Sequence, residues 1–288
     1  MYSQNNYKMP SGFFIAFLGS ILDSTKISSL NLMALLENVS PVWGHHLIYD
    51  PRESLRFSKV GRYLMKSILV YGDSLVWGRN AINRDRHKYE DRWPNVLGAS
   101  LENVKIWEAG LGGRTTNLDF PGLPERNGLK HLPVALLQAA PLDLVILALG
   151  TNDLFAEAGR KPQDTVNAMR SLIKVTKDLP TAQGSSVPNT SPPKVMIVSP
   201  PNCLPLSSVT GEGFPELDEL TQWLPKLAKL YGELAIEQDT YFADATKFCE
   251  PDPVDGLHLD AKNTKQLGIG IAKTLALTGF AHFCYEYK

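Results

Sequence analysis

Ser74 follows a short apolar run, Ile68-Leu69-Val70-Tyr71, that stops abruptly at Gly72-Asp73, and Asp255 stands three residues ahead of His258 near the other end of the chain. A hydroxyl is a weak nucleophile; it needs a base to take its proton, and the base needs a carboxylate to orient it. Ser74, His258 and Asp255 are the residue types for those three parts. Between them, Gly150-Thr151-Asn152-Asp153 again follows an apolar run. The Asn152 side chain offers N–H groups to a developing oxyanion, and Gly113 would let a backbone N–H approach a substrate closely. The chemistry suggested is attack by a serine on a carbonyl carbon.

Plainer readings exist for each residue. Ser74 can be a turn or helix cap, Asn152 a turn former, His258 a surface histidine, and Asp255 a brace for the turn at Gly256. Val76 stands where the G-x-S-x-G elbow has its second glycine, which disfavours the usual lipase-like fold. Gly110-Leu111-Gly112-Gly113 lacks the third glycine of a dinucleotide loop, since Thr115 occupies its place. Neither the His45-His46 pair nor Cys203, Cys249 and Cys284 has metal-ligand spacing, so neither a metal nor another cofactor is expected. Trp77, close to the serine, is either core packing or a wall of the substrate pocket, with the pocket favoured. Arg114 either pins the second loop or is solvated.

These residues sit between elements of alternating type. Strands are expected at Ser67–Tyr71, Val104–Glu108, Leu142–Leu149, Lys194–Ser199 and Thr240–Asp244. The runs Ile68-Leu69-Val70 and Leu144-Val145-Ile146-Leu147 are apolar without alternation, as in strands covered on both faces. Helices are expected at Asp91 to Leu101, Leu132 to Ala140 with Pro133 in its first turn, Pro162 to Leu179, Leu217 to Gln238 with a kink or break at Pro225, and Asn263 to Leu277. Segments Thr181–Pro193 and Pro200–Pro215 read as surface loops. Strand–helix alternation means a parallel sheet with helices on both sides, and ligands of such sheets collect at the carboxyl ends of the strands. Ser74, Gly113, Asn152, Asp255 and His258 all follow strands and so converge on one rim.

The chain has 288 residues, of which 43% are hydrophobic, enough for a large buried core. A net charge of -1 gives no reason to expect nucleic acid or an acidic membrane as partner. Residues 1–64 lack sustained periodicity and are expected to be an N-terminal extension outside the core fold, with the enzyme domain spanning 65–288. The apolar run Phe13 to Leu22 is ten residues, too short to cross a bilayer, and no A-x-A cleavage site follows it. Together with three cysteines, this makes the cytoplasm the expected location, with secretion as the alternative.

Assembled, these blocks resemble the SGNH hydrolase superfamily, or GDSL esterases. Gly72-Asp73-Ser74-Leu75, Gly113, Gly150-Thr151-Asn152-Asp153 and Asp255 to His258 match its ordered stations over about residues 66 to 278. Glu108 to Asn117, Leu142 to Asp153 and Lys194 to Pro201 are similar to its bacterial arylesterase and acyltransferase branch, some of whose members perform perhydrolysis. One departure is Gly112-Gly113, where that branch often has Ser-Ala. The resemblance implies a three-layer α/β/α flavodoxin-like fold around a five-stranded parallel sheet. It implies a Ser74–His258–Asp255 triad and an oxyanion hole from the backbone N–H groups of Ser74 and Gly113 with the Asn152 side chain. The expected partners are a small ester and water or an alcohol acceptor, with a homo-oligomer possible. The expected activity is short-chain ester hydrolysis with acyl-transfer capacity. The alternatives are carbohydrate deacetylation by the same triad, or a non-catalytic flavodoxin-like module.

Overall fold

In the computed structural model the described residues are 65–120, 122–155, 159–178 and 191–284. The expected extension and most of the Thr181–Pro193 loop lie outside them. Five strands, β1 (Lys66–Gly72), β2 (Val104–Gly110), β3 (Leu144–Ala148), β4 (Lys194–Val198) and β5 (Tyr241–Ala243), pair in parallel in the order β2-β1-β3-β4-β5. All five fall where the apolar runs placed them, with ends shifted by one or two residues.

The unbroken apolar runs exist because each strand feeds two cores. Leu69, Tyr71, Val145, Leu147, Val195 and Ile197 face one side, where they meet α3 (Gly128–Ala139), α4 (Pro162–Asp178) and α5 (Leu217–Glu237). Their neighbours Ile68, Val70, Leu144, Ile146, Met196 and Val198 face α2 (Trp93–Ala99) and α6 (Ala261–Leu277) on the other. The result is three layers, helices–sheet–helices. Val166, Met169, Leu172 and Ile173 form the buried stripe of α4 that the 3.6-residue period predicts.

Three helix expectations need correction. A 3-10 turn at Tyr89–Asp91 precedes α2, which starts at Trp93 rather than Asp91. Helix α3 begins four residues before Leu132, because Asn127 caps it by accepting from the Lys130 N–H, so Pro133 lies inside the helix. Pro225 neither splits nor ends α5, which runs through it. An interior proline costs about 3 kcal/mol. Leu217, Leu220, Leu224, Leu227, Tyr231 and Leu234 all bury along this helix, and each buried side chain returns roughly 1.5–3 kcal/mol. The stripe outweighs the proline.

Register decides what the rim presents. Gly72 is level with Gly110 on one side and with Ala148 on the other. The chain leaves β1 outward to β2 and then returns to β3 across β1, so a crevice opens at the carboxyl end of the central strands. β5 lies at the opposite edge, but α6 packs against α2 through Leu267, Ile271, Trp93 and Leu97. The loop between β5 and α6 therefore crosses back over the rim. Leu259 anchors it by pairing with Asn80 and by its carbonyl, 3.1 Å from His87 Nε2. Among the described residues, no helix is long and apolar enough to cross a membrane.

Candidate active site

Two residues past Gly72, Ser74 opens the short helix α1 (Ser74–Trp77). Asp73 caps this helix, its Oδ1 accepting from the Leu75 N–H at 3.0 Å. The cap holds the turn that turns Ser74 upward from the strand. Asp73 is 3% exposed, and burial pushes its carboxyl up to about 6. Among the described residues, the Ser74 N–H donates to no protein acceptor, as befits a first-turn donor.

The Asp-x-x-His segment folds back on itself. Gly256 takes a φ of 72°, in the left-handed region, and Asp255 Oδ1 accepts from the Leu257 and His258 N–H groups, each at 2.9 Å. That leaves Asp255 Oδ2 at 2.7 Å from His258 Nδ1. A carboxylate only accepts, so Nδ1 carries the proton and Nε2 becomes the acceptor. His258 Nε2 lies 3.0 Å from Ser74 Oγ. Burial works to raise the Asp255 carboxyl, but the hydrogen bond and charge of His258 and the two backbone donors outweigh it and hold the group below the usual carboxylate range. Both Asp255 and His258 are buried. Phe214 meets the imidazole edge-on, with centroids 6.1 Å apart, and Phe155 packs against Phe214 in turn.

Gly113 and Asn152 come from the two strands that flank β1. Gly113 takes a φ of 74°, which a side chain would resist. The Asn152 Nδ2 donates one N–H to the Arg114 carbonyl at 3.0 Å, tying the third block to the second, and among the described residues its other N–H is unspent. Arg114 is pinned, not solvated: its Nη1 donates to the Gly72 carbonyl at 2.8 Å and to that of Ala109, and its guanidinium lies 4.2 Å above the Tyr71 ring. A second tie comes from Asp153, fully buried, which accepts from the Thr116 N–H at 2.9 Å, the Thr116 hydroxyl and Arg160 Nη1 at 3.0 Å. Burial pushes the Asp153 carboxyl up to about 6.

A small pocket is lined by Ser74, Leu75, Thr151, Pro201, Leu257 and His258. Trp77 does not line it; its ring lies beneath the Arg86 guanidinium at 5.4 Å. Sequence reasoning passed over Pro201, which it placed in a surface loop, and Phe214. Neither carries a chemical signature, and only the path of the 200–215 loop across the rim brings them here. Asp153 and Arg160 were also passed over as a pair, although Asp153 stands inside the third block.

This arrangement has relatives. No curated protein matches the chain. A carbohydrate acetylesterase from Sinorhizobium meliloti is 34% identical with a TM-score of 0.66, covering 74% of this chain and 99% of that one. A protein from Agrobacterium tumefaciens assigned as an arylesterase is 38% identical with a TM-score of 0.65, over 74% and 99% of the two chains. The aryl esterase of M. smegmatis is 34% identical with a TM-score of 0.66, again over 74% and 99%. Residues 70–263 match the GDSL-like lipase/acylhydrolase family, a span that holds Ser74, Gly113, Asn152, Asp255 and His258. The chain therefore belongs to that family, the SGNH hydrolases, and is a carboxylic ester hydrolase.

Proposed function

We propose that the protein hydrolyses short-chain carboxylic esters through an acyl-Ser74 intermediate and can pass the acyl group to an alcohol or to hydrogen peroxide as well as to water. The observation that carries this reading is the continuous chain Asp255–His258–Ser74, with links of 2.7 and 3.0 Å, in a small pocket at the rim. Ser74 Oγ attacks the ester carbonyl as His258 Nε2 takes its proton. Asp255 holds the tautomer and stabilises the imidazolium. The N–H groups of Ser74 and Gly113 and the unspent N–H of Asn152 receive the oxyanion. His258 then protonates the leaving alkoxide, and the released alcohol leaves Ser74 esterified. Water or an acceptor alcohol attacks the acyl group next, His258 again taking the proton, and Ser74 is regenerated. Every proton and charge in this cycle is handled by side chains and backbone, so no cofactor enters it. The partners are a small ester and its acceptor.

Carbohydrate deacetylation is the second reading, supported by the similarity to the Sinorhizobium acetylesterase. One experiment tests both: turnover of nitrophenyl esters from C2 to C12 and of acetylated sugars by wild type and Ser74→Ala, with an alcohol acceptor in parallel. Ser74-dependent activity peaking at C2–C4, with transfer to the alcohol, supports the first reading. Efficient turnover of acetylated sugars alone replaces it with the second. Full turnover by Ser74→Ala overturns both.

A further inference from the structure

The peptide after the Gly113 turn is held by its neighbour in space. Thr115 donates its N–H and its hydroxyl to the Arg126 carbonyl at 2.9 and 3.2 Å, and the Arg126 N–H donates to the Leu123 carbonyl at 3.1 Å. These bonds use only the Arg126 backbone. Its side chain turns to Gly113: a Cβ placed on that glycine would stand 2.8 Å from Cζ and 2.9 Å from both Nε and Nη1. The guanidinium thus occupies the space that glycine leaves beside the oxyanion loop. It is half-buried, and among the described residues it makes neither a hydrogen bond nor an ion pair.

An unpaired guanidinium here has its donors free for an anionic partner. Glu125, beside it in the chain, is exposed and does not pair with it, and two buried or loop acids are engaged elsewhere. Asp119 is taken by Lys130 at 2.7 Å and by Asn127 at 2.9 Å, and Asp153 by Thr116 and Arg160. Arg114, the loop's other guanidinium, is buried against backbone carbonyls and Tyr71. Arg114 leaves its buried Nε without a partner, whereas among the described residues the whole guanidinium fork of Arg126 is open.

We infer that Arg126 is a specificity residue of the ester site, selecting esters that carry a carboxylate a few bonds from the scissile carbonyl. A guanidinium fork matches a carboxylate with two parallel hydrogen bonds, and the ester carbonyl is drawn to Gly113, against which that fork lies. The inference rests on Gly113 serving a Ser74 ester site and adds a substrate class to it.

Two matched pairs test it. Nitrophenyl hemisuccinate against nitrophenyl butyrate places the carboxylate on the acyl side; 3-acetoxybenzoate against phenyl acetate places it on the alcohol side. For at least one pair, Arg126→Gln should lower the anionic-to-neutral ratio of kcat/KM roughly ten- to a hundredfold, the scale of hydrogen bonds to a charged group, and mainly through KM. Arg126→Lys, which keeps the charge, should keep part of that ratio, and added salt should reduce it in the wild type. Unchanged ratios in both pairs overturn the assignment. An equal fall on neutral and anionic esters through kcat also overturns it, marking Arg126 as a loop brace. Ser74→Ala keeps the levels apart: turnover surviving in it refutes the site itself, whereas Ser74-dependent turnover with an unmoved ratio refutes only the role of Arg126.

Discussion

Asp73→Asn should make the protein more stable at neutral pH and a poorer catalyst. The Asp73 carboxyl is pushed up from 3.8 to about 6, chiefly by burial, with Arg114, His258 and the Leu75 N–H offsetting part of the effect. The folded state thus binds this proton more tightly than the unfolded chain does. The associated stability is complete below about pH 4 and is lost as the pH rises through about 6. Two units at 1.36 kcal/mol each put the cost of the buried charge at neutral pH at about 3 kcal/mol, an upper figure because the site relaxes. Asparagine keeps the acceptor that caps Leu75 while carrying no charge. Urea unfolding at pH 7.5 should therefore show Asp73→Asn stabilised by about 1–3 kcal/mol, and at pH 4.5 by only about a third of that. Asp153, raised likewise, helps raise Asp73, so part of the gain belongs to the pair of carboxyls rather than to Asp73 alone. Asp73 and a protonated His258 attract, so kcat on nitrophenyl acetate should fall as stability rises. A variant no more stable than wild type at pH 7.5, or altered equally at both pH values, would refute the reasoning.

Other outcomes are as direct. Asp255→Asn should lower kcat by about 10⁴ with the circular dichroism spectrum unchanged, because the amide no longer selects the useful His258 tautomer. Asn152→Ala should cost about 10²–10³ in kcat with little change in KM, measured on nitrophenyl acetate, since its free N–H serves the transition state. Burial lifts the thiols of Cys203 to about 11 and Cys249 to about 12, whereas Cys284 is part-exposed. One thiol should therefore react quickly with a disulfide reagent at pH 8, and Cys284→Ser should abolish that phase.

The chemistry and the fold class were legible in the chain because both are local. The unbroken apolar runs of β1 and β3 announce strands covered on both faces, since nothing else hides both sides of a strand. Strand, Gly-Asp-Ser and Asp-x-x-His are contiguous, and Gly256 is the one residue type that lets Asp255 reach both the backbone and the imidazole of His258 without strain. The prolines misled because propensity is a local quantity. Pro133 and Pro225 are tolerated because the apolar faces of their helices bury elsewhere along the same helix, and a neighbouring residue in sequence does not report that. The parts of the site with no signature are the ones that long-range packing supplies. Pro201 and Phe214 reach His258 on the loop that follows β4, and Asp153 and Arg160 meet Thr116 only when the connections after β2 and β3 dock. Sequence thus specified which groups could react; the level ends of β1, β2 and β3, and the return of α6 onto α2, decided that they stand within hydrogen-bonding distance. Residue types carry chemistry, but distances between elements far apart in the chain are set by how their apolar faces fit.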